Sequence, residues 1–576
     1  MLRLTSCPKG HTFDLDKAVP PGETVRRVTS ILEDKGPGIL ARTERIDSGR
    51  LGIPVYLSQC GPKAQEVLPG RKQMGKGASP EQAEASALME LIERYSLFSF
   101  WQNEANVSFA TWTEAERMFP GALLPLEQIL QSVGEDLDPH LAKQALDLLP
   151  WRFAPALEIA GQRGLHLPVG WFRKLNEYNG SAAGNTFEEA VLQGGCELVE
   201  RHVCALIDRD RPVLPTLDPE SFLDPVLKEL YGRYTAQGIH IWLKDFSLGL
   251  GVPTVGALAY DPSTWPMLSE IVFTAGTATS PAKAAIRALT EVAQLAGDFH
   301  TGSCYDPSGL GKPRDLEACR WIQAGPKAPL DSLPDASHPD LLREIEALAD
   351  ALHASGYAWY AMDITHPDLG VPATYSIVPG FQFRERAPEA SLGMFLGRML
   401  AEERPLGEAK AGLDFLVGLY PEGHFLDFFR GMLELRQERP QAALRLFASS
   451  EDHQPSLESK ALAAFYQAYA LSRMEAWQET LEPLQRAQEL SPHSYAFSNL
   501  RGVAHFKLGQ YAEAAREFSR ALEIDGGAAL DMANLGLCYL KMGKRGAAKD
   551  FFRRSLEIDP GIAFARSYLE ELTASR

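Results

Sequence analysis

Three separated stretches of this chain carry one polar spacing: Ser86-x-x-x-Glu90-x-x-Glu93, Gln193-x-x-x-Glu197-x-x-Glu200 and Arg287-x-x-x-Glu291-x-x-Gln294, always at i, i+4 and i+7. On a helix turning about 100° per residue, those offsets put each set of three side chains on one narrow stripe. Ala, Leu and Val surround the stripes. One such set alone reads as well as a solvated Glu/Arg helix face. Three sets inside apolar helices instead predict a shared site for a highly charged ligand. Glu90, Glu93, Glu197, Glu200 and Glu291, with Arg94, Arg201 and Arg287 beside them, suit a metal-loaded polyphosphate. Hard oxygen ligands hold Mg2+, and guanidinium groups neutralise phosphate.

A Gly-rich segment precedes each stripe: Gly75-Lys76-Gly77-Ala78-Ser79-Pro80, Asn179-Gly180-Ser181-Ala182-Ala183-Gly184-Asn185-Thr186 and Gly276-Thr277-Ala278-Thr279-Ser280-Pro281. All three read as turns. Ser79 and Ser280, each followed by Pro, predict helix caps, and Thr186 with Glu189 predicts a capping box. Three helices thus start from backbone able to approach a ligand closely, and their N-terminal N–H groups favour phosphate nearby.

The C-terminal part is organised differently. Ala468, Gly502 and Gly536 lie 34 residues apart, as do Leu490, Ile524 and Ile558, and Pro492, Gly526 and Pro560. That period is the tetratricopeptide one. Small residues at the repeated Ala/Gly position let paired helices pack closely, and a degenerate earlier unit is expected over 425–450, with Gly431 in the place of Gly502. Stacked helix pairs offer an extended surface for a partner or substrate, although such arrays also serve as stabilising appendages.

Residues 1–405 mix β-rich runs, such as those at 53–57 and 256–260, with the amphipathic helices. The expected fold class is therefore α/β: one large domain over 1–405 that carries the stripes, a degenerate helical connector or repeat over 406–456, and an all-α tetratricopeptide array over 457–576. Two Pro/Asp-rich stretches, 210–225 and 312–339, are expected as loops.

Seven cysteines (Cys7, Cys60, Cys196, Cys204, Cys304, Cys319 and Cys538) are scattered without zinc spacing, which indicates reduced thiols and a cytoplasmic setting. The start carries no signal-peptide segment, and no apolar run is long enough for a membrane span. A formal net charge of -18 argues against general nucleic-acid binding. Three weaker motifs carry little. Gly70 to Gly77 nearly matches a phosphate-binding Walker A loop, but Gly77 stands where a Ser or Thr belongs. His202 reads as structural rather than as a proton carrier, and Cys196 and Cys204 as small core residues.

The segments from Gly75 to Ser79, Ser86 to Arg94, Asn179 to Thr186, Glu197 to Arg201 and Arg287 to Glu291, together with Arg45-Ile46-Asp47 and 51–55, resemble the YcaO family over about residues 20–400. The resemblance implies binding of ATP and Mg2+ and activation of a peptide backbone amide. A nucleophile adds to the carbonyl, the oxyanion takes the γ-phosphoryl group, and phosphate leaves. A Cys, Ser or Thr side chain gives an azoline, as in cyclodehydratases of peptide natural-product biosynthesis; a sulfur donor gives a thioamide. By the same resemblance Glu90, Glu93, Glu197, Glu200 and Glu291 hold magnesium, Arg201 and Arg287 face the phosphates, and Lys76, Ser86, Asn185 and Gln193 contact the nucleotide.

The chain departs from azoline-forming relatives, because repeats rather than a proline-rich tail follow the catalytic domain, and the Pro-containing segment 378–388 is internal. Repeats after such a domain resemble the accessory factor linked to ribosomal-protein methylthiolation, whereas thioamide-forming members work with a TfuA-like partner. Two readings therefore stand: an ATP-dependent enzyme acting on a peptide or protein, and a helper that recruits another modifying enzyme through its repeats. Either is compatible with a homodimer.

Overall fold

The computed structural model describes residues 3–47, 50–267, 270–296, 299, 313, 315–384, 390–492, 494–524 and 528–574. Cys304, Gly526, Lys312 and the end of the 378–388 segment lie outside the described residues. The chain divides into two compact units, Met1–Pro139 with Pro150–Pro388, and His140–Leu149 with Glu389–Arg576.

The first unit is α/β. In chain order its strands are β1 (Leu40–Arg45), β2 (Val55–Cys60), β3 (Lys72–Lys76), β4 (Ser108–Ala110), β5 (Trp151–Glu158), β6 (Arg163–Pro168), β7 (Ser181–Ala183), β8 (Thr216–Leu217), β9 (His240–Asp245), β10 (Thr254–Tyr260), β11 (Val272–Thr277), β12 (Lys327–Ala328), β13 (Tyr360–Asp363) and β14 (Ala373–Ile377). They form three sheets, ordered β1-β2-β3, β4-β5-β13-β14-β7 with β6 paired to β5, and β11-β10-β9-β8-β12. All pairings are antiparallel except the short β8–β12 pair. Five helices matter for the site: α1 (Pro21–Asp34), α2 (Pro80–Gln102), α3 (Phe187–Asp210), α4 (Pro281–Ala296) and α5 (Leu341–Ala354).

The stripes lie on α2, α3 and α4, and each of these helices directly follows a strand: β3, β7 and β11 respectively. Their apolar sides are buried, through Leu88, Leu91 and Ile92 on α2, Leu198, Val199 and Val203 on α3, and Leu289 and Val292 on α4. Each stripe helix packs on the strand before it and on a strand of another sheet: α2 on β3 and β7, α3 on β7 and β11, α4 on β11 and β3. The contacts close a ring. Three strand–helix units of similar build face one centre, which is why one polar spacing recurs.

The Gly-rich segments are not all turns. Gly75 lies within β3 and Gly276 within β11. A Cβ on Gly75 would stand 2.1 Å from the backbone nitrogen of Ala87, and one on Gly276 would stand 2.4 Å from that of Ala288. These glycines let a helix lie directly against its strand. The predicted caps are present at Ser79, which accepts from the Gln82 N–H, and at Thr186, which accepts from the Glu189 N–H. The Thr186 box stays half-built. The Glu189 carboxylate instead accepts from the Asn185 amide and from the N–H of Ala18.

The second unit is all helical, with α6 (Leu392–Glu403), α7 (Leu406–Leu419), α8 (Leu426–Arg436), α9 (Pro440–His453), α10 (Leu457–Arg473), α11 (Trp477–Leu490), α12 (Tyr495–Lys507), α13 (Tyr511–Ile524), α14 (Ala529–Lys541), α15 (Arg545–Ile558) and α16 (Ala563–Ala574). A Cβ on Gly431, Gly502 or Gly536 would stand 2.7, 2.8 or 3.0 Å from the ring of Phe447, Phe518 or Phe552. Each ring is buried on the second helix of its pair. The degenerate unit expected over 425–450 is thus a true helix pair, α8 with α9. No helix among the described residues is long and apolar enough to cross a membrane.

Candidate functional site

The ring of helices brings the three stripes to one place. Arg287 on α4 donates from Nη1 to Oε1 of Gln193 on α3 at 3.1 Å. Lys76, at the end of β3, pairs with Glu291 on α4. Ser181 on β7 has its hydroxyl 2.6 Å from Glu93 Oε1 on α2. The backbone N–H of Thr277 on β11 donates to Glu200 on α3 at 2.8 Å. One carboxylate per stripe helix is therefore met by a donor from the strand of another unit. The relation runs round the ring, β7 to α2, β11 to α3 and β3 to α4.

Positive charges stand between the acids. Arg94 lies 3.4 Å from Glu93 and 3.9 Å from Glu90, and Arg201 lies 3.8 Å from Glu197. Burial, together with Glu197 and Glu90 and against the pull of Arg94, pushes the Glu93 carboxyl up to about 8. Burial also raises Glu197, although Arg201 and Arg94 oppose the shift. Burial and the charge of Arg287 pull Lys76 down to about 8, while Glu200 and Glu90 act the other way. Lys76 thus feels charges from all three stripe helices.

Ser86, one turn before Glu90, is half-buried and makes no side-chain hydrogen bond among the described residues. Asn185 stands at the start of α3, its oxygen accepting from Thr24 and Arg27 and its amide donating to Glu189. It ties α1 to α3. His202 is structural: it accepts the Gln382 N–H at 2.9 Å and stacks on Phe381, and burial pulls it down to about 4. Cys196 and Cys204 are buried core residues, and burial pushes the Cys196 thiol up to about 12.

A small cavity, open to solvent, adjoins the cluster and shares Gln193 and Arg287 with it. Leu15, Leu192 and Leu341 supply apolar wall, and Lys17, Lys283 and Glu344 supply charge. The N-terminal segment forms part of this wall and is held by acids: Thr5 by Glu188, Cys7 by Asp340, Lys9 by Glu344 and Ala18 by Glu189. Sequence reading missed Lys17, Glu189, Lys283 and Glu344 as lining residues. Of these only Glu189 entered the sequence reading, as part of the Thr186 capping box.

The donor set fits ATP with Mg2+. Arg287 Nε and Glu344 Oε2 are buried without hydrogen-bond partners among the described residues, one beside the carboxylates and the other on the cavity wall. Among those residues no three His, Cys, Asp or Glu side chains converge as a ready ion cage. Magnesium does not need one, because it keeps several waters and binds through one or two carboxylates plus phosphate oxygens.

Residues 74–382 match the YcaO cyclodehydratase, ATP- and Mg2+-binding family, more than half of the chain. The chain belongs to the YcaO family. Residues 494–560 match tetratricopeptide repeats. The YcaO chain is 28% identical, over 404 residues, to the uncharacterised protein of the tfuA 3′ region of Rhizobium leguminosarum bv. trifolii, covering 66% of itself and 91% of that protein. It is 26% identical, over 340 residues, to the ribosomal protein S12 methylthiotransferase accessory factor YcaO of Escherichia coli K12, covering 53% and 56%. A heterocyclase solved with substrate and cofactor has the same fold at 23% identity and a TM-score of 0.54, over 66% of this chain and 54% of that one. The chain thus spans little more than half the length of the E. coli protein and of the heterocyclase.

Proposed function

We propose that this YcaO protein uses ATP with Mg2+ to activate a backbone amide in a peptide or protein. The convergence of three carboxylate stripes, with Lys76, Arg201 and Arg287 among them, carries the reading. Glu90, Glu93, Glu197, Glu200 and Glu291 hold magnesium, directly or through water, while Arg201 and Arg287 face the phosphates. Lys76, Ser86, Asn185 and Gln193 contact the nucleotide. Magnesium, when bound, supplies charge neutralisation at the transferring phosphoryl group.

The chain's own contribution is fixed charge in a half-buried site. Arg287, held by Gln193, need not reorganise as negative charge develops on phosphate oxygens, so its stabilising effect is preserved. The nucleophile decides the product: a neighbouring Cys, Ser or Thr gives an azoline, and a sulfur donor gives a thioamide. Likeness to the protein of the tfuA 3′ region favours the thioamide outcome and a TfuA-like partner. Residues 1–405 are proposed as the catalytic domain and 457–576 as the partner-binding array, joined by 406–456.

Likeness to the S12 methylthiotransferase accessory factor supports a second reading, in which the repeats recruit another modifying enzyme and the nucleotide site regulates. An oxygen-transfer experiment separates the two. ¹⁸O placed in the target amide carbonyl appears in released phosphate if the amide oxyanion captures the γ-phosphoryl group. Modified peptide accompanied by unlabelled phosphate excludes the mechanism in favour of the helper.

A further inference from the structure

The helix Val169–Asn176 ends on backbone that its sequence does not favour. Glu177 has φ 50° and ψ −113°, a conformation that residues with side chains rarely adopt. Two pins hold the distortion. The buried phenol of Tyr375 donates to the Glu177 carbonyl at 3.0 Å. Gly180, at φ 90°, runs so close to β14 that a Cβ there would stand 2.4 Å from the Ser376 carbonyl oxygen. Between these pins the chain turns Tyr178 over the guanidinium of Arg94, with Cζ 4.4 Å from the ring centroid. Tyr178 as a whole remains 46% exposed, and its phenol makes no hydrogen bond among the described residues.

Arg94 sits among acids beneath that ring. Its Nη1 is 3.4 Å from Glu93 and its Nη2 is 3.9 Å from Glu90. Burial opposes its charge, but Glu93, Glu90 and Glu197 more than offset the penalty, and its pKa is raised. A guanidinium near the surface gains hydration by swinging outward. The Tyr178 ring opposes that movement by replacing water on one face of the guanidinium with a cation–π contact.

We infer that Arg94 is an internal counter-ion to Glu90 and Glu93, and that Tyr178 is the positioning residue that holds it there. The inference rests on the proposed metal-binding role of the two glutamates. A bare divalent cation must compete with the Arg94 charge for these carboxylates and binds weakly. A cation carried by a nucleotide brings its own anionic ligands and loses less to this competition. The strained turn thereby biases the site toward metal and nucleotide together.

Mn2+ binding to the full-length chain without nucleotide, followed by electron paramagnetic resonance, tests this. Tyr178→Ala and Tyr178→Leu are expected to bind Mn2+ about fivefold tighter than wild type, the size that loss of one half-exposed cation–π contact allows. Tyr178→Phe and Tyr178→Trp keep the ring and the wild-type affinity. Arg94→Met binds at least as tightly as Tyr178→Ala, and adding Tyr178→Ala to it changes nothing further. Wild-type affinity in folded Tyr178→Leu, or a Tyr178 effect that persists in Arg94→Met, overturns the inference. If Glu90→Gln and Glu93→Gln also leave Mn2+ affinity unchanged, the metal-binding reading itself fails. If those two weaken binding while Tyr178→Leu does nothing, only the counter-ion inference fails.

Discussion

A Cβ on Gly75 would stand 2.1 Å from the backbone nitrogen of Ala87, so β3 and α2 touch backbone to backbone. Glu90 is three residues beyond Ala87 on that helix, and its position depends on the contact. Gly75→Ala therefore forces α2 away from its strand and is expected to destabilise the fold by about 3 kcal/mol. Gly232, in the helix Pro225–Ala236 with no atom within 4 Å of an added Cβ, is the contrast. Gly232→Ala should stabilise by about 0.5–1 kcal/mol through lower unfolded-chain entropy. Urea unfolding of both variants checks the pair; equal effects would remove the packing argument.

Replacing Glu90 or Glu197 with Gln keeps side-chain shape and removes one charge from the proposed metal shell. ATP turnover should fall about 100-fold, equivalent to roughly 3 kcal/mol of transition-state stabilisation. The melting temperature should hold or rise, since burial already disfavours the charged form of Glu197. Unchanged magnesium dependence in both variants would show that the stripes serve another purpose.

Much of this was legible because helix periodicity is local. The i, i+4, i+7 spacing placed Glu90, Glu197 and Glu291 on stripe faces before any tertiary information. It could not reveal the ring, because Ser181 meeting Glu93 and Thr277 meeting Glu200 are contacts 88 and 77 residues apart in sequence. Glu344 and Lys17 escaped notice for the same reason: one lies on a helix with no site-like pattern and the other on the N-terminal segment. Gly75 was misread as part of a turn because a strand glycine that admits a helix looks, in sequence, like any other glycine. In the repeats, Gly431 precedes Phe447 by 16 residues, as Gly502 precedes Phe518. Gly431 to Ala468, however, is 37 residues rather than 34, which blurs the period while preserving the packing.

His202 supplies a pH dependence of stability. Its folded-state value is pulled down to about 4 from an ordinary 6.5, chiefly by burial. Above pH 6.5 both folded and unfolded chains carry it neutral. As pH falls from 6.5 to 4 only the unfolded chain takes up the proton, so stability declines across that window, by an amount on the order of 3 kcal/mol. His202→Asn, whose Oδ1 takes the place of Nδ1 as acceptor of the Gln382 N–H, should flatten this part of the stability profile. An unchanged slope between pH 6.5 and 4 would assign the decline to other groups.

Phe552 fills the space that Gly536 leaves on the facing helix, and it is fully buried. Phe552→Ala opens a cavity in the last helix pair and is expected to destabilise it by about 3–5 kcal/mol, while the neighbouring pairs lose only one stacking interface. The α/β unit has its own core, so Mg2+-dependent ATP binding should match wild type. Binding of the modifying partner or protein substrate should weaken at least tenfold if the repeats present it. Hydrogen exchange localises the loss to α14, α15 and α16, and titration calorimetry with MgATP measures the other unit. Parallel loss of nucleotide affinity would contradict the independence of the two units, and intact partner binding with a melted last pair would move the docking surface away from α14–α16.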